Sequence, residues 1–295
     1  MVITELLEKN AKLYPGEVAL VEVNPASEPD PGLTWREFSL IESAAGGKYR
    51  REMTWKEFDT KANRFANLLL TRNIKKGDKV AILLMNCLEW LPIYFGVLKT
   101  GALAVPMNYR YTGEEIRYCA DLAEADVLVF GEEFIDRVES VYKQLPKIKN
   151  FFYVGENVPA FADSYDRLVD YCSSIAPAVS LEEEDDAAIY FSSGTTGFPK
   201  AILHTHTSLI NSCRTEQNHH GQTRDDVFLC IPPLYHTGAK MHWFGSLLSG
   251  SKAVLLRGVK PEWILRAVTE EKCTIVWLLV PWAQDLLDAV DAGHI

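Results

Sequence analysis

The stretch Ile189-Tyr-Phe-Ser-Ser-Gly-Thr-Thr-Gly-Phe-Pro-Lys-Ala-Ile-Leu-His-Thr-His206 concentrates more chemistry than any other part of the chain. An apolar, strand-like run leads into Ser192, Ser193, Gly194, Thr195, Thr196 and Gly197, and Lys200 follows three residues later. Two glycines permit positive φ, so successive backbone N–H groups can point into one concavity. Four hydroxyls add donors, and the lysine adds a point charge. Such a set would cradle a polyphosphate. It is not a Walker A loop, which would need Gly at 199 and Ser or Thr at 201. This chain has Pro199 and Ala201 there. A plain flexible turn would not explain the flanking strand-like runs or the lysine.

Histidines form the second concentration. Six of the seven fall between 204 and 242. No H-E-x-x-H occurs, and the His204-x-His206 pair has no well-spaced thiol beyond Cys213, so no metal site is expected. His204 and His206 read as structural, and His219-His220 as a helix end or loop. His236 follows Pro233-Leu-Tyr235 at the end of an expected strand, where a ring nitrogen could meet a ligand. Lys240, Met241, His242, Trp243 and Phe244 follow on an expected helix; ordinary core packing competes with a pocket role for Trp243 and Phe244.

The elements that must position these residues alternate. Strand-like runs at 79–84, 102–106 and 126–130 are separated by helical patterns at 88–98 and 113–120. From 186 the rhythm restarts: strands at 187–191, 227–230, 253–256 and 273–278, helices from 207 and at 238–248, 261–270 and 281–290. This predicts an α/β fold with largely parallel sheets in two blocks. The acidic run 181–186 marks a solvated boundary between them. Thr112 with Glu115 spells a capping box. So do two similar segments, Thr34-Trp-Arg-Glu-Phe38 and Thr54-Trp-Lys-Glu-Phe58, the second opening an amphipathic helix over 59–70. One such pair is too little for a repeat architecture.

Composition excludes several classes. A net charge of −10 disfavours general nucleic-acid binding. The longest apolar run, 275–283, is broken by Pro281 and is far short of the roughly 18–20 residues that span a bilayer. No signal-peptide h-region opens the chain. Six cysteines without a C-x-x-C read as reduced thiols in a cytoplasmic protein.

Residues 192–200 match all nine positions of [ST]-[ST]-G-[ST]-T-G-x-P-K. The chain thereby resembles the AMP-forming adenylating enzymes: acyl-CoA synthetases, luciferases and peptide-synthetase adenylation domains. Residues 98–106, 53–58, 204–206 and 232–238 resemble further motifs of that family. The resemblance implies the N-terminal part of its layered α/β/α/β/α arrangement of two sheet-containing subdomains. Residues 1–70 would pack with the second block, 71–180 form the first subdomain, and 181–295 the second, carrying the phosphate loop. It also implies an ATP-dependent carboxylate–CoA ligase that makes an acyl-AMP and then a thioester, with ATP, Mg²⁺ and CoA. Ser192–Gly197 and Lys200 would hold phosphates, His236 would sit beside the carboxylate and α-phosphate, and Trp243 and Phe244 would wall the acyl pocket. A fatty or aromatic acid would suit that pocket. Lys240 and His242 leave a short or polar acid open. The family's Tyr-Gly-x-Thr-Glu motif, ribose Asp, hinge and C-terminal domain with its Lys are not found within 1–295, so the chain reads as a fragment inactive by itself. A carrier-protein thiol as acceptor and a non-catalytic nucleotide-binding protein are the alternatives, and a homodimer is compatible with the resemblance.

Overall fold

The computed structural model describes residues 1–27, 48–192 and 199–293, with the side chains of 239–242 left aside. In chain order its elements are α1 (Ile3–Leu13), β1 (Val18–Val23), β2 (Arg50–Thr54), α2 (Trp55–Thr71), β3 (Lys79–Leu83), α3 (Trp90–Lys99), β4 (Leu103–Pro106), α4 (Gly113–Leu122), β5 (Val127–Gly131) and α5 (Ile135–Val141). They continue with β6 (Asn150–Val154), β7 (Asp163–Ser164), α6 (Tyr165–Tyr171), β8 (Asp186–Ser192), β9 (Lys200–Thr205), α7 (His206–His220), β10 (Val227–Cys230), α8 (Thr237–Ser249), β11 (Lys252–Leu256), α9 (Pro261–Glu271), β12 (Ile275–Val276) and α10 (Val280–Asp291).

Two sheets result. One has the order β7-β6-β5-β3-β4-β8-β9 and is parallel except for the β8–β9 hairpin. The other has the order β12-β10-β11-β1-β2 and is parallel except for β1–β2. The near-continuous apolar runs of β3, β4 and β5 are what a parallel strand buried on both faces requires.

Alternation along each strand sorts side chains into three cores. Val80 and Ile82 of β3 face one cluster, and Ala81 and Leu83 face another. Leu20 joins the first, and Val21 a third. The first cluster also takes in residues of α1, α2, α3, α7 and α8, so these helices lie between the sheets. The second packs α4 and α5 on the outer face of the seven-stranded sheet. The third packs α9 and α10 on the outer face of the five-stranded sheet. The chain is thus an α/β/α/β/α sandwich. Its central helix α3 is buried at all ten positions, including Lys99, whose ammonium is held by Glu8 at 2.7 Å and Asp59 at 3.0 Å.

Local signals explain the helix starts. Thr54 and Thr112 each accept from the N–H three residues on, and Glu57 and Glu115 return the bond. The Thr34 copy lies outside the described residues.

The subdomain boundaries need correction. The strands that flank the phosphate loop, β8 and β9, belong to the seven-stranded sheet, through the Ala104↔Ala188 pairing of β4 with β8. Residues 187–190 are buried, so they extend the first sheet rather than begin the second. The acidic run is a connector tied back by Lys76–Asp185 at 2.5 Å. Residues 1–70 also divide. β1 and β2 join the five-stranded sheet, whereas α2 packs in the shared layer against α3. Strand β12 has only two residues, where the pattern predicts a strand over 273–278. No helix among the described residues is long and apolar enough to cross a membrane.

Phe95 is the hub of the shared layer. It is fully buried, with ring centroids 5.5 Å from Phe58, 5.7 Å from Trp243 and 6.2 Å from Phe244. Phe95→Ala should cost about 3–5 kcal/mol in urea unfolding, and Phe95→Leu clearly less. His206, 1% exposed at the start of α7, supplies a pH dependence. Burial lowers its pKa to about 4; Asp185 works against the shift, while Lys76 and the N-terminal amine work with it. Between that value and about 6.5, the unfolded chain binds the proton more tightly, so stability falls as pH drops through this window. The loss should reach about 3 kcal/mol near pH 4, and His206→Gln should flatten the corresponding part of a pH–stability profile.

Candidate active site

In open α/β sheets, ligands bind beyond the carboxyl ends of the strands, where the strand order reverses. The seven-stranded sheet reverses between β3 and β5, and the five-stranded sheet between β10 and β12. The residues that follow β3 and β5 meet those that follow β10 and β11. Asn86, just past β3, donates from Nδ2 to the carbonyls of Pro232 (3.1 Å) and Leu256 (3.4 Å). Its Oδ1 accepts the Leu234 N–H at 2.8 Å. Glu133, just past β5, is ion-paired with Arg257, just past β11. The two reversal points therefore share one edge of the molecule.

The phosphate-loop strands end on the same edge, because β8 runs parallel to β4. Ser192, the last residue of β8, lies opposite Lys200, the first of β9. Lys200 is exposed and Ser192 half-buried, so the hairpin opens to solvent. Ser193, Gly194, Thr195, Thr196 and Gly197 lie outside the described residues. The structure thus brings Ser192 and Lys200 together as paired residues at the end of β8 and the start of β9.

His236 caps α8 at the reversal point of the second sheet. Its Nδ1 accepts the Gly238 N–H at 3.2 Å, which places the proton of the neutral ring on Nε2. Partial desolvation lowers its pKa, favouring that neutral form. An exposed Nε2–H donor results, suited to an anionic oxygen. A Cβ at position 238 would stand 3.3 Å from His236 Nδ1, so a side chain there would require the ring to give by a few tenths of an ångström. Tyr235 stacks edge-on to Tyr109 at 5.3 Å, linking this segment to the one after β4.

Trp243 and Phe244 do not reach this edge. They lie two turns along α8, about 10 Å from its start, each 1% exposed and surrounded by Phe58, Tyr94 and Phe95. Their contacts among the described residues are those of core packing, and a part in walling an acyl pocket is a proposal. Among the described residues, no group of three or more His, Cys, Asp or Glu is placed to hold a metal. Sequence reasoning misses Asn86, Glu133 and Arg257. The polar Asn86 directly after the apolar run 80–85 is the one available signal.

Residues 7–294 match the AMP-binding enzyme family, and the chain belongs to it. It is 26% identical over 269 residues to a medium/long-chain-fatty-acid–CoA/3-oxocholest-4-en-26-oate–CoA ligase of Mycolicibacterium smegmatis, covering 82% of this chain and 48% of the relative. It is 32% identical over 201 residues to a crotonobetaine/carnitine–CoA ligase of Citrobacter koseri, covering 67% of this chain and 38% of the relative. Its fold matches that of the anthranilate CoA ligase AuaEII, crystallised with anthranoyl-AMP, with a TM-score of 0.82 at 24% identity over 94% of this chain and 49% of that one. The chain spans about half the length, or less, of the relatives it matches.

Removing the Asn86 side chain should strand the Leu234 N–H and two carbonyls in a buried joint. Asn86→Ala is expected to lower stability by about 1–3 kcal/mol. Asn86→Asp should also destabilise, because it keeps the acceptor but turns a carboxylate toward two carbonyls. Chemical unfolding of the two variants checks both expectations.

Proposed function

We propose that this chain carries the nucleotide- and acid-binding edge of an AMP-forming carboxylate–CoA ligase. The observation that carries the reading is that the Ser192/Lys200 hairpin end and His236 lie at the same edge of the molecule, where the carboxyl ends of the two sheets meet, in a chain of the AMP-binding family. A carboxylate is a poor acyl donor because its leaving group is oxide. Attack of its oxygen on the α-phosphorus of ATP forms the acyl–AMP bond and breaks the bond to pyrophosphate. The resulting mixed anhydride has a good leaving group, and the CoA thiol displaces AMP from it to give the thioester.

Catalysis of the first step is positioning and charge neutralisation. Lys200 and the donors of 192–197, with Thr195 and Thr196 as the main hydroxyls, hold the β- and γ-phosphates. His236 donates from Nε2 to an oxygen of the reacting carboxylate or α-phosphate. It stays neutral at pH 7, so it orients the anion without binding it as an ion pair. Magnesium would arrive with ATP, since the described residues offer no carboxylate cluster for it. Six free thiols suit a cytoplasmic setting.

The 295-residue chain should bind ATP weakly, and Lys200→Ala should weaken that binding at least about tenfold, the effect of losing roughly 1.4 kcal/mol. Calorimetric titration of both proteins checks this. With ATP, Mg²⁺, CoA and a panel of acids, the same chain should form no measurable thioester. Turnover comparable to that of a relative of twice the length would show that every required group lies within 1–295, and would overturn this division of roles.

A further inference from the structure

A cavity of about 650 Å³ lies beyond the carboxyl ends of β1 and β11, at the start of β2, and of its lining only Arg257 belongs to the site described above. Its volume falls within the range of small-molecule pockets. Its walls carry five cationic side chains against four carboxylates, a positive balance in a chain of net charge −10.

The carboxylates are already engaged. Glu22, 2% exposed, accepts from Arg51 at 2.5 Å and from the Leu88 N–H at 2.8 Å. Both oxygens of Glu89 accept from Arg51, at 2.8 and 3.0 Å. Glu52 is taken by Arg50, and Glu57 by the Thr54 N–H and hydroxyl. Donors, by contrast, are in surplus. Lys48 and Lys61 line the cavity, and neither has a carboxylate within ion-pair distance among the described residues. Arg257 spends its Nη2 on Glu133, and its buried Nε–H has no partner among the described residues. A cavity whose acceptors are used, and which keeps two lysines and the Arg257 Nε–H without an ion-pair or hydrogen-bond partner among the described residues, is complementary to an anion rich in acceptor oxygens.

We propose that this cavity is a second ligand site, for a small phosphate-bearing anion, with Lys48 and Lys61 as its main contacts. The Arg51–Glu22–Glu89 cluster, with both carboxylates buried and Arg51 half-buried, forms a floor that holds its own charges paired. The lining of the cavity includes neither Ser192, Lys200 nor His236.

The test is a ³¹P NMR titration of the 295-residue chain carrying Lys200→Ala, which weakens the phosphate loop. Inorganic phosphate and ribose 5-phosphate serve as probes, at low and high salt. Saturable binding should persist in this background. It should weaken at least tenfold when Lys48→Ala and Lys61→Ala are added, return in part with Lys61→Arg, and fall with salt. Tighter binding of ribose 5-phosphate than of phosphate would support a cavity that also takes the organic part. Equal binding of the two would support a site that recognises the phosphate alone. Absence of saturable binding in the Lys200→Ala chain would overturn the proposal. So would binding that the Lys48→Ala/Lys61→Ala pair leaves unchanged while circular dichroism and melting show the fold intact.

Discussion

The side-chain amide of Asn86 stands between two sheets that share no strand. One oxygen and one nitrogen serve three backbone groups of the other sheet's loops: the Leu234 N–H and the carbonyls of Pro232 and Leu256. Buried backbone groups must find partners, and here the partners come from the opposite sheet. The joint therefore fixes the segment that leads to His236 relative to β3. Because β4 and β8 lie in the same sheet as β3, it fixes His236 relative to the phosphate-loop hairpin as well. The Arg257–Glu133 pair reinforces the same joint from β11 to β5. Breaking one partner of such a buried pair would leave the other charge uncompensated.

Behind this joint the shared helical layer resists any shear between the sheets. Helix α3 has no solvent face, so its aromatic side chains must satisfy α2, α8 and the seven-stranded sheet together. The chain through Phe58, Phe95, Trp243 and Phe244 ties α2 to α8 across it. Close-packed interiors are not continuously deformable. The edge that carries Ser192, Lys200, Asn86 and His236 thus inherits its geometry from the core rather than from its loops.

Much of this is legible in the sequence, for local reasons. The apolar runs of β3, β4, β5 and β11 and the capping boxes at Thr54 and Thr112 are signals that a few residues carry by themselves. Period-two alternation tells which residues face a core. It does not tell which of two parallel sheets a strand joins, since 187–190 would be equally buried in either. For that reason β8 and β9 read as part of the second block although they pair in the first. Trp243 and Phe244 raise the same difficulty: a large aromatic on a helix suits a pocket wall and a core equally, and their contacts with Phe58 and Phe95 come from distant parts of the chain. Asn86 escapes a sequence reading because its three partners lie about 150–170 residues away in the chain, and nothing local announces them.

The central claim is that the two sheets form one unit through this joint, so that the loops at their carboxyl edges act as one site. Native-state hydrogen exchange in low denaturant tests it most directly. The amides of Val129 in β5 and Val254 in β11 should exchange with the same opening free energy and the same denaturant dependence, and the Leu234 amide should join them only through that common opening. Two separate exchange isotherms, with the five-stranded sheet opening while the seven-stranded sheet stays closed, would contradict the account.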